Sequence, residues 1–359
     1  MSDVTGGEEA AAGAPEAGRV VLVPYADLAA RTATALRAAG VDDASTEATT
    51  RALMHASLLG VDSHGVRLAT HYCKVLQSGR VNGRPTLTIS RTAPATAMID
   101  ADNGLGPVGS YRAIDLACEI AAETGIAAVG VVRSSHYGAA GAYALAGAER
   151  GLFTFSTTNA DSLVGVFDGA SAFHGTNPLA FGAPMPEGSR PWLLDMATSA
   201  IPLNRVYLYR TLNRPLPENV AADAYGTPVI DPHAVEMLLP LGAAFGFKGA
   251  GLAGVASILA GAFTGGAMDH EMLSMTRGQD WSTPRNLGHF FLAIDPDRFA
   301  GRVAYEAAMQ SYLAALRAVP QSGIGRVMAP GDREWDEADR RRREGIPVDP
   351  ETAKFLDIG

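Results

Sequence analysis

The order of secondary-structure patterns along the chain constrains the fold more than any other feature of the sequence. Apolar residues at helical spacing dominate both ends, and short apolar runs alternating with helical patterns fill the middle. Four of these runs predict strands, at 126–132, 152–157, 191–196 and 290–294. Helices that flank a sheet region in sequence can meet in space. We therefore expect an α/β protein in which both chain ends build one helical domain.

The pattern divides the 359 residues into two domains and two tails. The helical domain is predicted to comprise 19–85 and 296–345, and the mixed α/β domain 86–295. Residues 1–18 are acidic and rich in Gly, Ala and Pro, which is typical of a disordered tail. Residues 346–359 are predicted to form a C-terminal tail.

The charge balance excludes one broad class of function. The chain has 29 Lys and Arg against 38 Asp and Glu, a formal net charge of −9. Because such a surface repels phosphate backbones, we expect no nucleic-acid partner. The strongly charged stretch 332–344 is expected to lie in solvent.

The sequence predicts neither a secretory signal nor a membrane span, and we expect a cytoplasmic protein. The first residues lack a basic region followed by an apolar one. The apolar stretch 249–266 is mostly Gly and Ala, which bury too little area to draw a helix into lipid, so we expect a packed internal helix. Cys73 and Cys118 match neither a metal-site spacing nor a disulfide framework, which indicates two reduced thiols.

Polar residues cluster where three predicted strands end, at 134–136, 159–161 and 195–198. Open sheets place ligand contacts at such ends. Two of the eight histidines, His64 and His136, stand beside Ser and Gly, which leave an imidazole accessible. We expect no metal site, since no HExxH or similar spacing is present, and no Gly-x-Ser-x-Gly motif indicates a serine hydrolase.

A glycine-rich segment requires a choice between two interpretations. Residues 249–254 match G-x-G-x-x-G, and Asp269 follows at a distance typical of a dinucleotide fingerprint. The preceding segment contains Pro and Gly and is a poor strand, which favours close helix packing instead. Lys248 precedes the motif at a glycine-flanked helix start, where an ammonium is well placed for a phosphate or carboxylate. The alternative for Lys248 is an ordinary surface lysine.

Eight short motifs follow one another over about residues 20–335, namely Asp62-Ser63-His64-Gly65-Val66-Arg67-Leu68, Ser135-His136-Tyr137-Gly138-Ala139-Ala140-Gly141, Gly175-Thr176-Asn177-Pro178-Leu179-Ala180, Leu194-Asp195-Met196-Ala197-Thr198-Ser199, Leu239-Pro240-Leu241-Gly242, Phe247-Lys248-Gly249, Leu287-Gly288-His289-Phe290-Phe291 and Pro330-Gly331-Asp332. In this order they resemble the malate/L-lactate dehydrogenase family, which binds NAD(P) without a Rossmann fold. The family includes ureidoglycolate and sulfolactate dehydrogenases, diketogulonate reductase and piperideine/pyrroline-2-carboxylate reductases.

The resemblance implies an NAD- or NADP-dependent oxidoreductase. Its cofactor domain is expected to be a mixed sheet of its own type, combined with the helical domain. Family members are typically homodimers, with the active site between the helical and sheet domains. The same resemblance argues against a dinucleotide fingerprint at Gly249.

The resemblance also implies roles for single residues at the reacting centre. His64 is expected to be the general acid/base, with His136 as the second candidate. Arg67 is expected to clamp a substrate carboxylate, although the offset of this arginine from the histidine varies in the family. The other expected substrate contacts are Ser63, Asn159, Asp161, Thr176 and Asn177, of which the last two also suit a structural turn.

On the cofactor side, the expected contacts are the strand-end residues Asp195, Met196, Ala197 and Thr198, then Lys248, and the turn Pro330, Gly331 and Asp332. Asp332 stands where the family has Glu, so its side-chain contact is the least secure.

Three functions stay open on the sequence alone. The first is hydride transfer between NAD(P)H and a small 2-oxo acid, giving a 2-hydroxy acid. The second is reduction of a cyclic imine carboxylate on the same scaffold. The third is a non-catalytic binding protein that keeps the fold, against which the presence of both His64 and Lys248 argues.

Overall fold

A seven-stranded mixed sheet forms the centre of the computed structural model, which describes residues 20–275, 278–323 and 325–358. The predicted N-terminal tail, 1–18, lies outside the described residues. The helices are Tyr25–Ala38 (α1), Asp43–Leu58 (α2), Leu68–Gln77 (α3), Gly106–Thr124 (α4), Gly141–Ala148 (α5), Leu203–Thr211 (α6), Phe247–Ser257 (α7), Arg302–Arg317 (α8), Asp332–Glu344 (α9) and Pro350–Phe355 (α10). The strands are Val21–Val23 (β1), Thr88–Ala93 (β2), Thr96–Asp100 (β3), Ile126–Ser134 (β4), Phe153–Thr158 (β5), Val164–Gly165 (β6), Ala172–His174 (β7), Leu179–Ala183 (β8), Trp192–Met196 (β9), Ala221–Ala222 (β10), Met237–Leu238 (β11), Leu287–Ile294 (β12) and Ile346–Val348 (β13).

The order of strands in the large sheet decides which chain segments meet. The order is β2-β3-β4-β12-β5-β8-β9. Among neighbouring strands of this sheet, β3 and β4 are parallel and every other pair is antiparallel. The start of β12 therefore lies beside the ends of β4 and β5, and the end of β9 lies beside the start of β8. The predicted mixed α/β class is confirmed, and one edge of the sheet collects the polar segments that follow β4, β5 and β9.

Small residues let α5 pack directly on the sheet. All eight of its residues are buried. A Cβ added at Gly147 would lie 2.4 Å from Cγ2 of Thr154, and one added at Gly182 would lie 2.3 Å from the carbonyl oxygen of Ala144. Both positions therefore need glycine. This close packing brings the start of α5 next to the end of β9, where the amide of Gly141 donates to Asp195.

The helical part contains α1, α2, α3 and the C-terminal elements. Its core is built from large apolar side chains on these elements, including Leu28, Leu36, Leu53, Met54, Tyr72 and Ile346. The segment 346–359 was expected to be a tail, but over its described residues it forms β13, which pairs with β1, and α10. Burial of Ile346 and Val348 explains the difference, because each contributes an apolar side chain to this core.

The charged stretch 332–344, expected to lie in solvent, is the helix α9, and one of its faces is buried. Ala338 and Arg341 are the buried residues of this helix. The expectation is corrected because Arg341 meets the carboxylates of Asp62, in the turn after α2, and of Glu337 on α9 itself, which compensates its burial. The preceding helix, α8, contacts the sheet domain through Arg302 and Tyr305, which donate to the carbonyls of Gly151 and Pro184.

A second, four-stranded sheet lies in the middle third of the chain, with the order β10-β11-β6-β7. It has its own small core, which includes Val164, Ile201, Val206 and Leu238. The predicted helix at 249–266 is α7, which continues as a π-helical turn, Ile258–Ala262. The expectation of an internal helix is wrong, because Val255, Ile258 and Phe263 leave one face of the segment exposed. Within the described part of the chain, none of the helices has the length and apolar character needed to cross a bilayer.

Candidate active site

His64 lies in a tight turn that another helix holds in place. The 3₁₀ turn Asp62–His64 follows α2, and Oγ of Ser63 lies 2.8 Å from Nδ1 of His64. Arg341 of α9 binds the carboxylate of Asp62 with both terminal nitrogens and donates to the carbonyl of Ser57 at 2.6 Å. A residue 277 positions along the chain thus fixes the turn that carries His64.

His136 lies just beyond the end of β4, with its Nδ1 facing two donors. The hydroxyl of Tyr72 lies 2.9 Å from Nδ1, and the amide of Gly138 donates to the same atom at 3.4 Å. Since an amide can only donate, Nδ1 is an acceptor and the ring proton belongs on Nε2. The rings of His64 and His136 stack with their centroids 5.7 Å apart and their planes at 23°.

Both imidazoles are held in the neutral form. Burial lowers the pKa of His64 below its ordinary value near 6.5. Burial lowers the pKa of His136 further, and the neighbouring His64, His71 and Arg285 add to this effect. Burial also raises the pKa of Tyr72, so its phenol stays protonated and donates to His136. A pair of neutral imidazoles suits proton transfer at a reacting oxygen.

A third histidine, His289, ties three strands together at this edge. Its Nδ1 lies 2.7 Å from Oγ1 of Thr158 and its Nε2 lies 2.8 Å from Oγ of Ser134. The ring stacks on Tyr137 at a centroid distance of 4.6 Å. Burial lowers the pKa of His289 to about 3. The residue was not predicted to be at the site, although it lies in one of the eight motifs, and its role is to position the ends of β4 and β5.

Asn177 and Asp269 form a buried hydrogen-bonded centre beneath the site. The carboxylate of Asp269 accepts from Nδ2 of Asn177 at 2.7 Å, Nδ2 of Asn159 at 3.0 Å and Oγ of Ser257 at 2.8 Å. Burial alone would raise the pKa of Asp269, but these and other hydrogen bonds lower it. Asn177 also accepts from the amide of Ala160. Its polar atoms are therefore engaged within the protein, which favours the structural-turn interpretation.

Asp195 and Thr198, at the end of β9, differ in what they offer. Asp195 is exposed, and its Oδ2 accepts from the amide of Gly141 at 2.8 Å. Thr198 is fully buried, and its amide and hydroxyl both donate to the carbonyl of Thr176. Met196 and Ala197, between them, are partly exposed.

Lys248 is exposed in the first turn of α7. Its Nζ lies 5.2 Å from the ring centre of Phe245 and 6.0 Å from that of Phe247. The glycines of the G-x-G-x-x-G segment lie inside α7 and not at a strand-to-helix turn. A Cβ at Gly249 would lie 2.2 Å from the carbonyl oxygen of Leu241. The segment is thus a packing feature, as expected, and Asp269 is part of the buried centre.

The turn Pro330, Gly331 and Asp332 begins α9 against the sheet. Gly331 has a φ of 94°. The carboxylate of Asp332 accepts from the amide of Ala329 at 2.9 Å and from both ends of the Arg317 guanidinium. Asp332 therefore caps its own turn. A cleft of about 310 Å³ opens beside it, lined by Arg190, Arg317, Arg326 and Trp335 among others.

Asp161 forms a buried ion pair that the sequence did not indicate. Its partner is Arg285, whose Nη2 binds Oδ1 while Oδ2 accepts from the amide of Met275 at 3.2 Å. Arg285 also donates from Nε to the carbonyl of Leu273 at 2.8 Å. By contrast, Arg67 is exposed at the start of α3. Arg285 lies beside Asp161 because β12 pairs with β4 and β5, and this pairing is known from the structure and not from the sequence.

The residues at this edge fit a nicotinamide dinucleotide. Oδ1 of Asn159 is buried without a partner among the residues that the structure describes. It is an acceptor that the carboxamide N–H of a nicotinamide would satisfy. The exposed carboxylate of Asp195 suits ribose hydroxyls, and the ammonium of Lys248 suits a phosphate.

Comparisons with known proteins agree with this chemistry. A family model described as malate/L-lactate dehydrogenase matches residues 23–357. Malate dehydrogenase of Pyrococcus abyssi is 34% identical over 304 residues, which is 82% of this chain and 82% of that protein. Ureidoglycolate dehydrogenase (NAD(+)) of Escherichia coli K12 is 32% identical over 305 residues, 85% of this chain and 86% of that protein. The crystal structure of Δ1-piperideine-2-carboxylate reductase from Pseudomonas syringae matches with a TM-score of 0.84 and 27% identity, over 94% of this chain and 100% of that one.

Proposed function

The chain belongs to the malate/L-lactate dehydrogenase family, and on that premise we propose that it interconverts a small 2-hydroxy acid and the 2-oxo acid, with His64 as general acid/base. The family that the eight motifs indicated is confirmed, and with it the class of NAD(P)-dependent oxidoreductases. The single observation that carries the proposed mechanism is the stacked pair of neutral imidazoles at the sheet edge.

The two imidazoles offer different atoms to a substrate. We assign His64 the tautomer whose Nδ1–H donates to Ser63, which leaves a lone pair on Nε2 to accept the hydroxyl proton during oxidation. His136 accepts on Nδ1 from Tyr72 and presents Nε2–H, which stabilises negative charge developing on the substrate oxygen. In the reverse direction His64 returns the proton to that oxygen.

The cofactor supplies the hydride when it is bound. Asp195, Met196, Ala197, Asn159 and Lys248 are the residues we propose to hold it. The turn at Pro330 lies near β9. The carboxylate of Asp332 is already bound by Arg317, so among the expected cofactor contacts this side chain is the weakest.

A panel assay with one variant tests this function. Oxidation of NADH and NADPH is followed by absorbance with pyruvate, oxaloacetate, 2-oxo sugar acids, and piperideine- and pyrroline-2-carboxylate. The wild type is expected to turn over a 2-oxo acid, and H64A is expected to lose about 10²–10⁴-fold in kcat while still binding NAD(P)H by fluorescence. Turnover by H64A at the wild-type rate would refute the role of His64.

Reduction of a cyclic imine is the second candidate. The low pKa of both histidines suits a substrate that arrives already protonated on nitrogen. The structural similarity to a piperideine-2-carboxylate reductase also favours it. Turnover of the imines alone in the same panel, unaffected by H64A, would replace the first proposal by this one.

A homodimer completes the proposal. Side chains on and after α7 leave an apolar surface exposed, with Phe263 at 66% and Ile258 at 50% exposure. A surface of this kind suits a second copy of the chain. Light scattering coupled to size exclusion is expected to give twice the mass of 37.3 kDa, and a monomeric mass would contradict it.

A further inference from the structure

We propose that Arg285, oriented by Asp161, binds the carboxylate of the substrate beside His136. The inference rests on the proposed function, because it names the residue that recognises the acid group of the 2-oxo or imine substrate. It replaces Arg67, which the sequence indicated for this role.

The strand register brings Arg285 to the reacting centre. Leu287 of β12 pairs with Ser134 of β4, and the two strands are antiparallel. Arg285 precedes this pair by two residues and His136 follows it by two, and the charge of Arg285 is close enough to lower the pKa of His136. On the other side of β12, His289 pairs with Thr158, and Asp161 follows Thr158 by three residues. Arg285, His136 and Asp161 thus extend from three adjacent strands at one edge.

The guanidinium of Arg285 is buried, and some of its N–H donors are not used by the described residues. The residue is only 7% exposed. A guanidinium has five N–H donors, of which one binds Leu273 and one binds Asp161. Among the described residues, the hydrogen bonds of Arg285 are made by Nε and Nη2 and none by Nη1. A buried cation is stable only when its charge and its donors are compensated, and a carboxylate ligand would use the open edge.

Asp161 fixes the direction of that open edge. Its two oxygens are held by Arg285 and by the amide of Met275, so it anchors one side of the guanidinium. A planar, pre-oriented guanidinium is the geometry that binds a carboxylate with two parallel hydrogen bonds. Arg67, at the exposed start of α3, has no such orienting partner among the described residues.

The segment just before Arg285 packs against α3 and the residues that follow it. Nη2 of Arg80 donates to the carbonyl of Asp280, and the ring of Trp281 lies 6.2 Å from that of His71 and 3.4 Å from Nζ of Lys74. These contacts tie the chain before Arg285 to the helix that carries Tyr72. The reacting carbon of a 2-oxo acid is bonded to its carboxylate carbon, so an anchor here places that carbon next to the imidazoles.

The test compares arginine variants in a binding assay and a rate assay. The binding probe is oxamate, titrated into the NADH or NADPH complex and followed by nicotinamide fluorescence. R285Q is expected to weaken oxamate binding and to raise KM for the 2-oxo acid by roughly 10- to 100-fold, whereas R67Q changes both by less than about threefold. R133Q, which removes an exposed arginine at the same sheet edge, controls for loss of positive charge.

R285Q leaves the carboxylate of Asp161 buried without its partner and could therefore fail to fold. A second variant keeps the proposal testable in that case. The double variant R285Q/D161N replaces the ion pair by two amides and is expected to bind NAD(P)H normally and oxamate weakly. The amide of the 2-oxo acid, which lacks the carboxylate, is expected to react equally slowly in wild type and variants.

The outcomes separate the two proposals. An active wild type with R285Q or the double variant binding oxamate normally would overturn the role of Arg285 and leave the proposed function intact. A loss that follows R67Q instead would return the role to Arg67. A wild type active only on the cyclic imine carboxylates refutes the 2-oxo acid, and the same KM comparison on the imine then decides the role of Arg285.

Discussion

At the scale of single residues, burial sets the protonation states on which the mechanism depends. His64 and His136 are both neutral, because each lies inside the protein and His136 also faces neighbouring positive charge. The sequence indicated both histidines through their Ser and Gly neighbours and the family motifs. It could not indicate Arg285, because the position of Arg285 follows from a pairing between strands far apart in the chain.

The pH dependence of kcat/KM reports on His64. Because the pKa of His64 lies below 6.5, its imidazole is mostly in the neutral, basic form at neutral pH. The kcat/KM for hydroxy-acid oxidation is therefore expected to stay constant down to about pH 6.5 and to decrease at lower pH. Reduction needs the protonated form and is expected to rise as the pH falls through the same range. Profiles measured in both directions check this, and an oxidation profile that falls already between pH 8 and 7 would contradict it.

Removing His289 tests its structural role. H289L is expected to lower the free energy of unfolding by about 2–4 kcal/mol, because the buried hydroxyls of Ser134 and Thr158 each lose a hydrogen-bond partner. Urea unfolding followed by fluorescence measures this. H233L, at an exposed position away from the sheet edge, is the control, and equal stability of the two variants would refute the role.

At the scale of elements, the sequence predicted long periodic segments and failed on short or ion-paired ones. The helices α2, α4 and α8 and the strands β4, β5 and β9 lie close to their predicted positions. The strands β6, β10 and β11 have two residues each, too few to show a period of two. The helix α9 was assigned to solvent because its buried residues are one alanine and one arginine, too few apolar side chains to produce a hydrophobic pattern.

The helix α9 is predicted to control the position of His64. R341M removes the clamp on Asp62 and is expected to reduce kcat by about tenfold with a small change in KM, because the turn of His64 is then free to move. R342M is the matched control, since Arg342 is exposed on the same helix and pairs with Asp339, which is not a partner of Arg341. Equal kcat values for R341M and R342M would show that the clamp has no role in catalysis.

Two glycines of α7 are predicted to respond in opposite directions. G249A is expected to destabilise the protein by more than about 2 kcal/mol, because its Cβ would meet the backbone of Leu241. G251A has no atom within 4 Å of its Cβ and is expected to stabilise by about 0.5–1 kcal/mol through helix propensity. Thermal unfolding of both variants is the measurement. Destabilisation by G251A would contradict the open space around this glycine and with it the contrast between the two positions.

At the scale of the whole molecule, the site depends on the joining of the chain ends to the sheet. The helical part supplies His64 and Tyr72, and the sheet edge supplies His136, Asp161 and Arg285. The helix α9 connects the turn that carries His64 with the residue just before β9. The order of motifs predicted this combination of parts. The domain boundaries stay a prediction. The helix α8, which was assigned to the helical domain, donates hydrogen bonds to two carbonyls of the sheet domain.

The most direct test of the central claim is the fate of the hydride. The wild type is incubated with a 2-oxo acid from the panel and with NADH or NADPH carrying deuterium on the transferable face of C4, and the product is analysed by mass spectrometry and NMR. We expect one deuterium on C2 of a 2-hydroxy acid, with formation of this product slowed about 10²–10⁴-fold in H64A. An unlabelled 2-hydroxy acid, or no 2-hydroxy acid from any 2-oxo acid of the panel, would contradict the proposed reaction.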